Sequence, residues 1–288
     1  MRIAYQGEPG AYSEAAALRF NPEAHVVPCR TFEEVFAAVG RGAAGYGILP
    51  IENSIGGSIH RNYDLLVQHA LPIVGEVTLR VTHQLLAVPG TKLENVKRIY
   101  SHPQALAQCE RFLQGLTGVD VVANYDTAGS AKLVREEGAT DAAAIASARA
   151  AEVFDLAVLA SSIQDYEENI TRFLLVSQSA TPLGEPDKAS LVFTLDNEPG
   201  GLFKALSVFA LRNIDLTKLE SRPIRGRAFE YLFYVDVAVP ERDRQCARAL
   251  EHLAEFARSV RVLGSYKAWK GEEMGKAGAV RDRTGNGS

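Results

Sequence analysis

Four short clusters in this 288-residue chain combine residue types that could do chemistry. Glu52-Asn53-Ser54 sets a carboxylate, an amide and a hydroxyl side by side, ahead of Gly56-Gly57, where backbone can approach a ligand closely. Thr171-Arg172-Phe173 joins a hydroxyl, a fixed positive charge and an aromatic ring, a compact kit for an aromatic carboxylate, which a guanidinium can grip through two parallel hydrogen bonds. Gly7-Glu8-Pro9-Gly10-Ala11-Tyr12-Ser13 is a glycine-rich turn before a helical pattern, able to hold an anion on backbone N–H groups. It has neither the Gly-Lys-Ser/Thr ending of a phosphate loop nor the dinucleotide spacing, and it reads equally as a tight turn. In Ser101-His102-Pro103-Gln104-Ala-Leu-Ala-Gln108-Cys109, two amides four residues apart share a helix face. Ser54 and Ser58 also fit as plain helix caps, Phe173 also fits as core, and Cys109, flanked by apolar residues, fits core better than nucleophile. No HExxH, CxxC or aspartate-rich loop occurs, and His25, His60, His69, His83 and His252 show no ligand spacing. No metal or other cofactor is expected.

Such clusters need elements to hold them. Ile3–Gln6, Val26–Pro28 and Tyr46–Pro50 read as strands, with a helix over Ser13–Phe20 capped by Ser13. A second helix is capped by Thr31, with Glu34 at the capping-box spacing, and a third runs from about Ser58 to His69. Pro72–Val88 is extended and lacks helix caps, which suits a crossing between two lobes, the chain returning near 160–178. Val96–Tyr100, Val119–Ala123, Ala142–Ala146, Leu156–Ala160 and Phe173–Ser177 are further strands, interleaved with helices at Gln104–Leu113 and Ala128–Glu136. Strands alternating with helices predict mainly parallel sheets, with ligand sites at the strands' carboxyl ends. Thr181–Asp187, with two prolines and a glycine, reads as a linker. Beyond it, Ala189–Leu195, Leu202–Arg212, Ile214–Ile224, Ala228–Val237, Glu241–Ala257 and Ser259–Trp269 follow the β-α-β-β-α-β order of a ferredoxin-like module. The glycine-rich, polar end of the chain predicts a disordered tail.

The chain is 47% hydrophobic and 23% charged with a net charge of −4, ordinary values for a globular protein of about two domains. No basic field recruits nucleic acid or anionic lipid, so neither partner is expected. Cys29, Cys109 and Cys246 lie far apart and supply neither a disulfide framework nor a zinc cluster. The N-terminus lacks a signal peptide's apolar run, and no stretch of about 18 uncharged apolar residues could span a bilayer. These features predict a cytoplasmic protein.

Taken together, the clusters resemble prephenate dehydratases. GEPGAYSEAA (7–16), LPIENSIGGSIHRNYDLL (49–66), SHPQALAQC (101–109) and NITRFLLV (169–176) stand in that family's order and spacing, and the C-terminal module resembles an ACT regulatory domain. The resemblance covers the chain to about residue 268. It implies an α/β catalytic region of two lobes, periplasmic-binding-protein-like, plus an α+β ferredoxin-like ACT domain. The boundaries expected are 1–178 for the catalytic domain (lobe one about 1–75 and 160–178, lobe two about 76–159), 179–188 for the linker, 189–268 for the ACT domain and 269–288 for the polar tail. The implied reaction is loss of the ring carboxylate and the 4-hydroxyl of prephenate, giving phenylpyruvate, CO2 and water on the route to L-phenylalanine. By the same resemblance Thr171 assists the departing hydroxyl, Glu52 is a candidate proton relay, and Asn53 and Gln108 orient the substrate. Ser54, Ser101 and the Gly10 turn add donors, Arg172 holds the pyruvyl carboxylate, and Phe173 is a further substrate-binding candidate. Phenylalanine is expected as the allosteric ligand of Asn197, Glu198, Gly201 and Leu202 on one wall and Glu220, Ser221, Arg222 and Pro223 on the other. Pairing of ACT sheets implies a homodimer or homotetramer. Motifs starting at residue 7 leave no room for an upstream chorismate mutase domain, so a monofunctional enzyme is expected. Arogenate dehydratase is the nearest enzymatic alternative, and a non-catalytic amino-acid sensor is an alternative of another class.

Overall fold

The computed structural model describes residues 1–224, 226–227 and 229–271. The first lobe runs β1 (Arg2–Gln6), α1 (Tyr12–Phe20), β2 (His25–Cys29), α2 (Phe32–Gly40), β3 (Tyr46–Asn53), β4 (Gly57–Ser58), α3 (His60–His69) and β5 (Ile73–Arg80). The second runs β6 (Gln84–Ala87), β7 (Arg98–Ser101), α4 (Pro103–Ala107), α5 (Glu110–Gln114), β8 (Asp120–Ala123), α6 (Thr127–Glu137), β9 (Ala142–Ala146), α7 (Ala148–Phe154) and β10 (Ala157–Ala160). Strand β11 (Ile170–Ser177) returns to the first lobe. The third unit comprises β12 (Lys188–Thr194), α8 (Gly201–Ala210), β13 (Leu216–Pro223), β14 (Tyr231–Val237), α9 (Arg244–Ala254) and β15 (Ser259–Tyr266).

The sheet orders are β2-β1-β3-β11-β5 with β4 on β3, then β10-β6-β9-β7-β8, then β13-β14-β12-β15. The lobe sheets are mixed, not mainly parallel as expected. Each keeps three parallel strands (β2-β1-β3 and β9-β7-β8), while the strands flanking the two crossings, β5 and β11, and β6 and β10, run antiparallel to their partners. A chain that leaves a lobe and comes straight back must re-enter the sheet running the other way. Residues 81–83 and 161–169 form the crossings, tied by Val81 N–H to the Asn169 carbonyl (2.7 Å).

Local chemistry sets the helix starts. Thr31 Oγ1 accepts from Glu34 N–H (3.2 Å), as the capping box requires. Ser13 is not a cap: α1 starts at Tyr12, and the Glu14 carboxylate reaches back to Gly10 N–H instead. The expected Gln104–Leu113 helix is broken at Cys109 into α4 and α5, and the His102 ring caps its start. Ser101 is fully buried and donates to the Ile145 carbonyl (2.6 Å).

The two lobes meet at Gly10. Its φ of +91° favours glycine, and a Cβ there would lie 2.7 Å from Ala150 Cα. Its carbonyl accepts from Ser147 Oγ (2.6 Å). Gly10 thus closes the lobes on each other and does not face the substrate space expected of it.

The third unit packs its sheet against the first lobe. Val192, Tyr234, Leu263 and Tyr266 share one buried cluster with Ile51, Tyr63, Leu66, Ile73 and Leu174, while α8 and α9 cover the opposite face through Phe193, Phe209, Val235 and Leu253. Arg172 is the polar centre of this interface. Its guanidinium donates to Glu76 Oε2 (2.7 Å), Asp236 Oδ2 (2.5 Å) and Tyr266 Oη (2.9 Å), and Lys188 Nζ also reaches Glu76 (3.1 Å). The expected carboxylate clamp is therefore a buried structural hub. At the expected tail's start, Trp269 N–H bonds Glu76 (3.0 Å) and its ring lies under Arg19 (5.8 Å). Residues 272–288 of that tail lie outside the described residues. No helix among the described residues is long and apolar enough to cross a membrane.

Replacing Arg172 by Met keeps the stem but leaves Glu76 and Asp236 short of positive charge. It should lower the unfolding free energy by on the order of 3 kcal/mol in denaturant melts, with KM of the folded fraction little changed. A large rise in KM with unchanged stability would restore Arg172 to the substrate.

Candidate active site

A cleft of about 540 Å³ opens between the lobes. Its walls are the segments that follow parallel strands: Gly7–Ser13 after β1, Arg30–Glu33 after β2, Asn53 at the end of β3, His102–Gln108 after β7 and Tyr125–Thr127 after β8. Carboxyl ends of parallel strands are where α/β sheets place ligands.

Of the candidate site residues, Asn53, Gln108, Thr171 and Phe173 line this cleft, whereas Glu52, Ser54, Ser101, Arg172 and Gly10 do not. Much of the division follows from the pleat. Asn53 pairs with Thr171 and Glu52 with Arg172 across the β3–β11 ladder. Successive strand residues face opposite sides, so the first pair faces the cleft and the second faces the ACT-like sheet. Glu52 accepts there from Lys218 Nζ (2.7 Å), which removes it as the proton relay. Ser54 is a positioning group: its Oγ donates to the Glu168 carbonyl (2.7 Å) and accepts from Ile170 N–H (2.9 Å), pinning the start of β11.

The cleft's polar side chains form one oriented chain. Asn53 Oδ1 accepts from Ile55 N–H (3.0 Å) and Gly56 N–H (2.7 Å), which identifies the oxygen of that amide. Its Nδ2 must then donate, to Thr171 Oγ1 (2.9 Å) and to Asn169 Oδ1 (2.7 Å). Asn169 Nδ2 donates in turn to Gln108 Oε1 (2.9 Å). His83 Nε2 lies 2.9 Å from that same oxygen, so it carries a hydrogen, while Tyr12 Oη donates to the Thr82 carbonyl (2.7 Å) and lies 2.8 Å from Nδ1. Thr171 accepts from Asn53, so its own hydrogen is left for the cleft. The Gln108 NH2 is likewise left without a partner among the described residues. Both are donors without a charge of their own, suited to an oxygen that gains negative charge in a transition state.

Burial lowers the pKa of His83, against the hydrogen bond to Gln108, and so favours the neutral ring. Burial also pushes the Cys109 thiol up to about 12, which fits core and not nucleophile. Asp126, at the cleft wall, is raised by burial, with the Glu8 charge adding. Among the described residues no group of three or more His, Cys, Asp and Glu side chains could hold a metal ion.

Asn169, His83 and Tyr12 are members of the network that motif reading did not single out. Asn169 and Tyr12 sit inside quoted motifs, and His83 was set aside for lacking ligand spacing. The signal was the crossing itself, since a polar residue at a chain crossing must find a partner.

The regulatory residues divide as the cleft residues do. On β13, Glu220 and Arg222 face the first lobe, Glu220 bonding Ser58 Oγ (2.5 Å) and His60 (3.0 Å), Arg222 bonding Asp64 (3.1 Å). Ser221 and Pro223 alternate outward and are exposed. Leu232 pairs with both Thr194 and Arg222, so the Asn197–Leu202 turn and the end of β13 come to the same end of the sheet. Gly200 precedes α8 with φ +79°.

The prephenate dehydratase family model matches residues 3–181 and the ACT domain model residues 189–255. A chloroplastic arogenate dehydratase/prephenate dehydratase 2 of Arabidopsis thaliana is 51% identical over 92% of this chain and 72% of its own. A solved prephenate dehydratase from Arthrobacter aurescens in complex with L-Phe is 33% identical, with a TM-score of 0.85 over 93% of this chain and 90% of that one. A structure titled GqqA, a novel type of quorum quenching acylase, is 38% identical, with a TM-score of 0.87 over 94% and 99%. The cytoplasmic expectation is overturned by the chloroplastic Arabidopsis relative. Scattered thiols and the lack of a long apolar run describe a plastid protein as well as a cytosolic one.

His83 has a consequence for stability. In the unfolded chain the ring titrates near the ordinary 6.5, and in the folded chain below it. Between those values the unfolded state binds more protons, so acidification costs stability there. Denaturant melts at a series of pH values should show this loss below about 6.5 and a flatter profile for His83→Gln. Parallel profiles would contradict it.

Proposed function

Because the chain belongs to the prephenate dehydratase family and carries an ACT domain, we propose that the Thr171–Asn53–Gln108 cluster carries out the decarboxylative dehydration of prephenate to phenylpyruvate. The C–C bond to the ring carboxylate breaks, its electron pair completes the aromatic ring, and the 4-hydroxyl departs. One net proton taken up from the solvent completes the leaving water. The supporting observation is the hydrogen-bond direction at Thr171, whose oxygen is engaged by Asn53 and whose hydrogen is therefore presented to the departing oxygen. The Gln108 NH2 orients the ring's polar substituents. Pro50, Ile59, Val81 and Phe173 supply an apolar wall, against which a carboxylate loses solvation and CO2 loss is favoured.

With Arg172 buried elsewhere, Arg30 holds the pyruvyl carboxylate. It follows β2 on the cleft wall and makes no ion pair among the described residues, whereas Glu33 beside it is engaged by Arg61. Arogenate, with an ammonium in place of the keto group, is the second substrate, favoured by the double name of the Arabidopsis relative. Arg30, the guanidinium lining the cleft among the described residues, favours prephenate, which has no ammonium to repel it. Acylase chemistry finds no support in the cleft, whose buried imidazole is engaged among the described residues by Gln108 and Tyr12 and not by a serine or threonine hydroxyl.

Residues 1–178 form the catalytic unit, 179–188 the linker and 189–268 the regulator, whose ligand is L-phenylalanine, held between the Asn197–Leu202 turn and the outward side of β13 at Ser221 and Pro223. Leu202, Phe203, Leu219 and Tyr231 leave apolar surface exposed on this unit, which supports pairing of two copies into a homodimer or a homotetramer.

Thr171→Ala should lower kcat by about a hundredfold or more with KM little changed, while Thr171→Ser retains appreciable turnover. Near-normal turnover of the alanine variant would sink the assignment. Purified protein should form phenylpyruvate from prephenate, and Arg30→Gln should raise KM for prephenate more than for arogenate. Turnover of arogenate alone would overturn the substrate reading, and millimolar phenylalanine without effect would overturn the regulatory one.

A further inference from the structure

Strand β13 and the catalytic ladder are joined by a single cation. Lys218 Nζ donates to Glu52 Oε1 (2.7 Å) and Ser58 Oγ (2.8 Å) and lies 3.5 Å from Glu220. Glu52 immediately precedes Asn53 on β3, and its ladder partner Arg172 immediately follows Thr171. The side chain that Lys218 grips is therefore one residue from the amide that orients Thr171.

The interface around this contact has two unequal parts. At its centre Arg172, Glu76, Asp236 and Lys188 are largely buried, with side chains 5–14% exposed. Breaking that hub strands buried charges and is costly. At the β13 edge Lys218 is as buried as the hub, at 12%, but its partner Glu52 is 35% exposed and Glu220's partner His60 51%, so solvent reaches one side of each contact and can replace it at smaller cost than in the hub. The ACT sheet can thus tilt about its Arg172 centre while its β13 edge slides.

We infer that β13 is the lever of the regulatory domain and that the Lys218–Glu52 pair is the coupling that carries its displacement to Asn53 and Thr171. A ligand seated against the outward residues of β13 shifts the strand. Lys218 then pulls Glu52, and the 2.9 Å Asn53–Thr171 bond that presents the hydroxyl hydrogen is lost or lengthened. Lys218 touches neither substrate nor the proposed effector face, since it shares the inward side of β13 with Glu220 and Arg222. It acts on catalysis through Glu52.

This inference rests on the phenylalanine reading given above, and the test separates the two. Full-length wild type, Lys218→Met and Lys218→Arg are titrated with L-phenylalanine while prephenate turnover is followed, and phenylalanine binding is measured by calorimetry with and without phenylpyruvate. Lys218→Met should turn over prephenate and bind phenylalanine within about twofold of wild type, yet lose most of its inhibition. Coupling between sites is reciprocal, so phenylpyruvate should shift phenylalanine affinity in wild type and not in Lys218→Met. Lys218→Arg should restore both effects. Inhibition of Lys218→Met as deep as that of wild type overturns the inference. So does loss of phenylalanine binding in that variant, which would make Lys218 part of the effector site. Wild type that neither binds nor responds to phenylalanine overturns the regulatory reading and the coupling with it.

Discussion

Two backbone N–H groups, those of Ile55 and Gly56, decide the polarity of the cleft between the lobes. By donating to Asn53 Oδ1 they turn its NH2 toward Thr171 and Asn169, and each later donor and acceptor follows. The network crosses the molecule's joints: Asn53 belongs to the first lobe, Asn169 and His83 to the two crossings, Gln108 to the second lobe. Lobe geometry and hydroxyl orientation are therefore one constraint. A shift of either lobe breaks the same row of bonds that presents Thr171. Buried polar chains of this kind fix a structure only when each member is satisfied, and this one ends on groups open to the cleft, where a substrate completes it.

Under the proposed function the β3–β11 ladder serves catalysis and control with alternate residues. Asn53 and Thr171 face the cleft, while Glu52 and Arg172 face the regulatory sheet. A stiff strand pair cannot move one set without the other. A sensor placed on the opposite face of the sheet can thus affect a reaction it never touches, with no contiguous path through the second lobe.

Much of this was legible in the sequence. Strand ends carried the polar clusters, the linker and the ferredoxin-like order stood out, and the crossing near residue 80 was marked by an extended segment without caps. Residue type marks the clusters that hold Thr171, Asn53 and Gln108, and the family resemblance is what assigns the three to one site. Their immediate neighbours were misassigned for one reason. Adjacent residues in a motif look like one site, but the pleat of a strand sends them to opposite faces, and only tertiary structure shows that the far face of β3 is covered by a second sheet. Arg172 resembled a substrate clamp because its carboxylate partners, Glu76 and Asp236, are 96 and 64 residues away in the chain. Antiparallel re-entry of β11 was likewise invisible to local periodicity, because it depends on where a distant strand pairs. Arg30 lay between a strand and a helix with no motif around it, and only its position on the cleft wall singles it out.

The orientation of Thr171 by Asn53 is tested most directly by a double-mutant cycle read in kcat under saturating prephenate. Asn53→Asp keeps the shape of the side chain but replaces the donating NH2 by an acceptor, so the Thr171 hydrogen turns toward it and away from the substrate. If Asn53 acts through Thr171, Asn53→Asp alone loses nearly as much as Thr171→Ala, and adding it to Thr171→Ala costs little more. Losses that multiply in the double variant would contradict that orientation and give Asn53 a separate role of its own.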